Sequence, residues 1–84
     1  MNAPYYPFKW MDRDEFRSKI TRRTANDEEW YVCPMCGSPT LIKGLRERCA
    51  KAFDVTRSSL DLVDDVELVY RACLQTARIA GIIK

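Results

Sequence analysis

Four cysteines are the residues of this chain whose type and spacing point to chemistry. Two residues separate Cys33 from Cys36, twelve separate Cys36 from Cys49, and twenty-three separate Cys49 from Cys73. Two thiolates at C-x2-C spacing reach one metal ion from a single tight turn. Pro34 stiffens that interval and Gly37 follows it. Cys33 and Cys36 are therefore one half of a tetrahedral site, with Cys49 and Cys73 the candidates for the other half. Cys73 falls in the apolar stripe of a long helical pattern, where a free thiol packs as a small hydrophobe, so core residue and ligand stand as equal readings. Without it, a fourth ligand would come from Glu47, from Asp54 or from a second chain.

The rival chemistries fit less well. A redox C-x2-C wants a helix N-terminus to lower the thiol pKa, whereas Gly37, Ser38 and Pro39 read as a turn. Unliganded structural cysteines are the third reading. Nothing in the sequence suggests secretion, and in a reducing compartment metal is favoured over disulfides. The expected cofactor is a structural Zn²⁺. Four thiolates around it would cancel the formal charge of +2.

Catalysis is not expected. There is no histidine, hence no ordinary neutral-pH base. The phosphate-cradling and dinucleotide-binding glycine patterns are absent. Asp61 and Asp65 would share a helix face and could take Mg²⁺, but Asp61, Asp64 and Asp65 read more simply as solvated charges at a helix start.

The elements that would position the cysteines follow from local pattern. Trp30, Tyr31 and Val32 before the knuckle and Thr40, Leu41 and Ile42 after it form the two arms of a β-hairpin. Met35, between the paired cysteines, is either an exposed contact at the tip or a filler. This stretch, residues 30–42, resembles one half of a zinc-ribbon or treble-clef finger. The resemblance implies Cys33 and Cys36 as ligands, and such modules recur in transcription factors, ribosomal proteins, polymerase subunits and small viral regulators. In those folds the second half is another close pair; here Cys49 and Cys73 are single and far apart.

Asp12 with Glu15 forms a capping-box-like start, and the pattern predicts a helix over 13–23. Phe16 and Ile20 would share its face, and Glu15 would pair with Lys19. Residues 24–29 read as a polar connector. After Gly44, residues 45–53 predict a short helix with Leu45, Cys49 and Phe53 on one side, although partial alternation over 46–55 also permits a strand. Residues 54–59 read as a linker. The longest element is a helix over 59–80, started by Ser58 and Asp61. Its stripe is Leu62, Val66, Val69, Cys73, Ala77 and Ala80, widened by Val63, Tyr70 and Leu74, with an i,i+4 pair of Glu67 and Arg71 and with Gly81 as its stop.

The expected fold is a small α+β zinc-binding domain: an N-terminal helix, a zinc-knuckle β-hairpin, a short helix and one long C-terminal helix. An aromatic, proline-rich arm over 1–11 would precede a single domain over 12–84, with the knuckle at 30–44. At 84 residues the core is small and the stability margin thin, so metal or a partner would contribute. The N-terminus shows no apolar signal-peptide region, and no stretch is long enough for a membrane helix; a cytoplasmic location is expected.

The expected function is a small regulator or adaptor that binds a protein, in transcription, translation or defence machinery, as a viral inhibitor does. In the arm, Tyr5, Tyr6, Phe8 and Trp10 either cover the domain's own core or anchor a partner. Charge is segregated: residues 9–23 carry six basic and three acidic groups, 43–57 carry five and two, and 61–67 carry four acidic groups alone. Segregation of this kind orients a docking partner. The alternative is direct DNA or RNA binding through Arg17, Arg22, Arg23, Arg46, Arg48 and Lys51, joined by Arg13, Lys19, Lys43 and Arg57. Self-association through the wide helix stripe is a further candidate.

Overall fold

The computed structural model describes residues 8–81. Helix α1 (Arg13–Lys19) leads into strands β1 (Thr21–Ala25), β2 (Glu28–Val32) and β3 (Pro39–Leu41). Helix α2 (Leu45–Phe53), a 3-10 turn (Arg57–Leu60) and helix α3 (Asp65–Ile79) complete the chain. The domain is α+β, with three helices and a three-stranded antiparallel sheet in the order β1-β2-β3. Among the described residues, no helix is long and apolar enough to cross a membrane.

The expected hairpin around the knuckle forms, with its second arm at Pro39–Leu41, one residue earlier than the expected 40–42. Trp30 faces Leu41, Tyr31 faces Thr40 and Val32 faces Pro39. The short helix over 45–53 also forms, with Leu45, Cys49 and Ala50 buried.

Several expectations are corrected. The first helix ends at Lys19, not at residue 23, and the supposed connector is a second hairpin. Asn26 and Asp27 both adopt positive φ (55° and 63°), which suits the right-handed twist of a two-residue hairpin. Thr21–Ala25 then pairs along its whole length with β2. Every β1 residue is exposed, so no apolar alternation marked the strand. Pairing with β2 outweighs the helical preference of its arginines. Across the pair, Arg22 lies over the Tyr31 ring (5.5 Å) and reaches Glu29 at 3.2 Å.

The long helix starts at Asp65, six residues after its expected beginning. Asp64, not Ser58, is its N-cap: the carboxylate accepts from the Glu67 backbone N–H at 2.8 Å. Upstream, Arg57–Leu60 is a 3-10 turn. Arg46 reaches from α2 to the carbonyls of Leu60 and Val63 and to the Asp65 carboxylate, occupying acceptors that an earlier helix start would need. Leu62, placed by the pattern in the helix stripe, is fully exposed, whereas Leu68 is completely buried.

The core joins all three helices to the knuckle. Phe16 of α1 is fully buried and meets Tyr70 of α3 edge-to-face at 4.9 Å. Leu45, Cys49, Leu60, Leu68 and Val69 fill the space between α2 and α3, and Met35 enters from the knuckle tip. Met35 is thus a filler, 1% exposed. Glu67 is the buried charged residue of the described chain. Its carboxylate accepts from Arg13 Nε at 2.7 Å, from the Arg13 Nη2 at 3.0 Å and from Arg71 Nε at 2.8 Å. Those guanidinium bonds hold the carboxyl below the usual carboxylate range, with Arg13 the larger influence.

Candidate metal centre

The knuckle is built by backbone geometry that its sequence demands. After β2, the Cys33 carbonyl accepts from the Gly37 N–H at 2.7 Å, and the Cys33 N–H donates to the Ser38 carbonyl at 3.1 Å. Gly37 closes the turn at φ +77°, a conformation other residues adopt at a cost. The Lys9 N–H donates to the Met35 carbonyl at 2.8 Å, so the chain before α1 braces the tip. Phe8 is partly buried against the core.

This turn aims Cys33 and Cys36 at α3. There Cys73 meets them: the Sγ atoms of Cys33, Cys36 and Cys73 all lie within 4.8 Å of one another, with Cys36 and Cys73 at 3.6 Å. Tetrahedral zinc with Zn–S bonds of about 2.3 Å separates its sulfurs by about 3.8 Å. The cluster is therefore already at chelating size. Cys33 is buried, and Cys36 and Cys73 are partly accessible. A metal among them would cross-link the hairpin to the long helix.

The thiols shift each other's protonation. Cys36 is the sulfur that carries a thiolate most readily. Hydrogen bonds from Cys33 and Cys73 draw its pKa far down, and Ser38 assists through its hydroxyl and its backbone N–H. Cys73 is pushed far up by its bonds to Cys33 and Cys36, with burial adding to the rise. Cys33 is also raised, chiefly through Cys36. Three sulfurs this close cannot all ionise in the absence of a cation; a bound metal ion reverses that balance and releases their protons.

Cys49 does not join the cluster. It is 4% exposed and packs in the α2–α3 core, where burial raises its pKa against the pull of Arg48 and Arg46. Its position follows from the helical period that sets it between Leu45 and Phe53. Neither alternative ligand is there either: Glu47 pairs with Arg57, and Asp54 ends α2 at φ 59°. Asp61 pairs with Arg57 and Asp65 with Arg46, and no cation cluster forms from them among the described residues.

The other candidate residues scatter. Trp10 is 58% exposed and Phe8 is half-buried against the core; Tyr5 and Tyr6 lie outside the described residues. Arg17 pairs with Asp64, Arg22 with Glu29 and Arg46 with Asp65. Arg48 donates to the carbonyls of Lys43 and Leu41. Arg23 and Lys51 are exposed.

Sequence reasoning did not find the pocket that adjoins the sulfurs. It has a volume of about 170 Å³. Phe8, Val69, Ala72 and Ala77 give it apolar walls, and Ser38, Thr40 and Thr76 add hydroxyls. Ala72 and Thr76 flank Cys73 on one helix face, a signal available only once Cys73 is known to face the knuckle.

Comparison with protein-family models, with curated proteins and with solved structures finds no match.

Proposed function

We propose that this chain is a non-catalytic, zinc-stabilised regulator or adaptor that binds a protein partner. The observation that carries the structural role is the convergence of Cys33, Cys36 and Cys73 from a β-turn and a separate helix. A metal there ties together two elements of a small core, and its binding energy becomes folding energy. The absence of histidine supports a non-catalytic reading. So does a pocket wall without carboxylate, lysine or arginine.

Protein binding is favoured over nucleic-acid binding by the use made of the arginines. A phosphate-tracking stripe needs cations free to meet the backbone. Arg17, Arg22 and Arg46 are instead paired with acidic side chains, and Arg48 is engaged with main-chain carbonyls. Large apolar side chains meanwhile stand in solvent at Trp10, Leu62 and Ile79, and tryptophan is among the residue types that anchor protein contacts.

Native mass spectrometry of the reduced chain, purified from cells without chelator, tests this reading. It should show one zinc per chain, no nucleic acid and a stoichiometric protein complex. Trp10→Ala should lose the complex and keep the zinc. This side chain is a cleaner target than the whole arm, because Phe8 and Met11 belong to the core. Stoichiometric nucleic acid, or a variant that keeps its partner, would count against the proposal. A folded chain without metal would remove its structural basis.

A further inference from the structure

We infer that a metal held by Cys33, Cys36 and Cys73 keeps its fourth coordination position for a ligand from outside the chain, and that this ligand is a small thiol. The inference rests on the zinc reading above and deepens it.

The donor inventory closes the internal options. The chain has no histidine and four cysteines. All of its cysteines, aspartates and glutamates fall within residues 8–81. Of these, three sulfurs converge and nothing else joins them. Cys49 is packed in the core between α2 and α3. The acidic groups nearest the clustered cysteines in sequence are committed elsewhere, Glu67 to Arg13 and Arg71 and Glu29 to Arg22. Zinc takes four ligands from thiolate, imidazole and carboxylate, so the fourth must arrive from outside.

The surroundings say what kind of ligand. The three sulfurs open on the pocket of about 170 Å³ described above. One water needs roughly 10–15 Å³ measured in this way, so the space takes several heavy atoms rather than a single solvent molecule. Its walls are mainly apolar at Phe8, Val69, Ala72 and Ala77, which suits an alkyl stem. Thr40 and Thr76 supply hydroxyls at the same pocket, and an O–H group can donate to an anionic sulfur. A soft donor completes a three-thiolate shell better than a carboxylate does. A short alkyl thiol meets all three conditions.

Zinc X-ray absorption on the full chain, reduced with a phosphine and free of thiols, provides the test. Three sulfurs at about 2.3 Å and one lighter atom at about 2.0–2.1 Å are expected. Adding 2-mercaptoethanol should convert the shell to four sulfurs, saturably, the thiol binding as thiolate, giving its proton to solvent and displacing the light atom; imidazole, which would leave three sulfurs and one light atom, should bind far more weakly, read from the visible bands of the cobalt-substituted protein. In the cobalt-substituted protein the same titration should give a saturating change in the visible bands. Ala72→Phe, which fills the pocket, should abolish the thiol response while metal stays at one per chain; Thr76→Leu serves if the first variant fails to fold. A four-sulfur shell in thiol-free buffer would overturn the inference, because Cys49 or a second copy would then hold the position. An unchanged shell with thiol present, or equal uptake of imidazole, would overturn it too. A chain that binds no metal at all would instead overturn the zinc reading beneath it.

Discussion

The sharpest contrast in the structure is between Cys49 and Cys73, a buried and a half-buried thiol on neighbouring helices in opposite settings. Cys73 stands 3.6 Å from Cys36 in the sulfur cluster, whereas Cys49 sits in the core. Structural zinc sites contribute about 10–16 kcal/mol through four ligands, or roughly 2.5–4 kcal/mol for each. Cys73→Ala should therefore weaken zinc binding about 100- to 1000-fold. At free zinc a hundred times the wild-type Kd, binding stabilises the fold by about 2.7 kcal/mol. With a Kd a hundredfold weaker, the same zinc concentration contributes only about 0.4 kcal/mol. For a domain of this size, 1 kcal/mol corresponds to roughly 4–8 °C in Tm. The zinc-dependent rise in Tm should thus fall from about 10–20 °C to about 2–3 °C. Cys49→Ala should keep the full zinc-dependent rise and lose about 1 kcal/mol of baseline stability, the cost of trimming one small buried group. Chelator competition gives the affinities, and thermal unfolding at fixed free zinc gives the shifts. If Cys49→Ala abolished the zinc effect and Cys73→Ala preserved it, the assignment of the cluster would be wrong.

Three further perturbations test the frame around the site. Glu67→Gln should cost about 1–2 kcal/mol at pH 7, the low end for charge-assisted bonds because both guanidinium partners are about half exposed. The folded carboxyl lies below its unfolded value of about 4.3, so its contribution is present above that pH. It disappears as pH falls through the lower folded value, and the gap between wild type and variant in urea unfolding should close there; a gap constant with pH would show that the charge is irrelevant. Asp27→Gly should stabilise the β1–β2 turn by about 0.5–1 kcal/mol, since Asp27 sits at φ 63° and glycine accepts that region without strain; lower stability on chemical denaturation would contradict this. Tyr70→Phe removes the buried bond from the Tyr70 hydroxyl to the Met11 carbonyl (3.0 Å) and should cost about 1–3 kcal/mol, read from the shift in the urea midpoint.

The part of the fold legible in the sequence was the part written in local signals. The knuckle hairpin has a C-x2-C turn with Pro34 and Gly37 marking it and β-prone residues on both sides, and its second arm lies within one residue of the expected position. Asp12 caps α1 onto the Glu15 N–H at 2.9 Å, and Glu15 pairs with Lys19 at 2.7 Å, as the spacing requires. Helix α2 obeys its apolar period. What escaped was decided by partners distant in the chain. The strand Thr21–Ala25 buries none of its side chains and exists because β2 offers it a ladder; its only local marks are two threonines and the Asn26–Asp27 turn. The start of α3 had two competing caps, at Ser58 and at Asp64. Arg46, eighteen residues before Asp64, favours the second by drawing the Leu60 and Val63 carbonyls away from a helix.

The same distinction explains the cysteines. Periodicity could put Cys49 and Cys73 on apolar faces, but both faces look alike from the sequence. Only the path of the chain decides which face meets the knuckle. Because α2 follows β3 after a short turn at residues 42–44, Cys49 enters the core beside α3 rather than returning to the turn that holds Cys33 and Cys36. Helix α3 then runs past that turn and presents Cys73 to it. The expected second half-site is thus reduced to one thiol from a helix, an arrangement that couples the knuckle to α3 and leaves one side of the sulfur cluster facing a pocket. In this domain the spacing of the last two cysteines reflects the helices that carry them, not a second metal-binding turn.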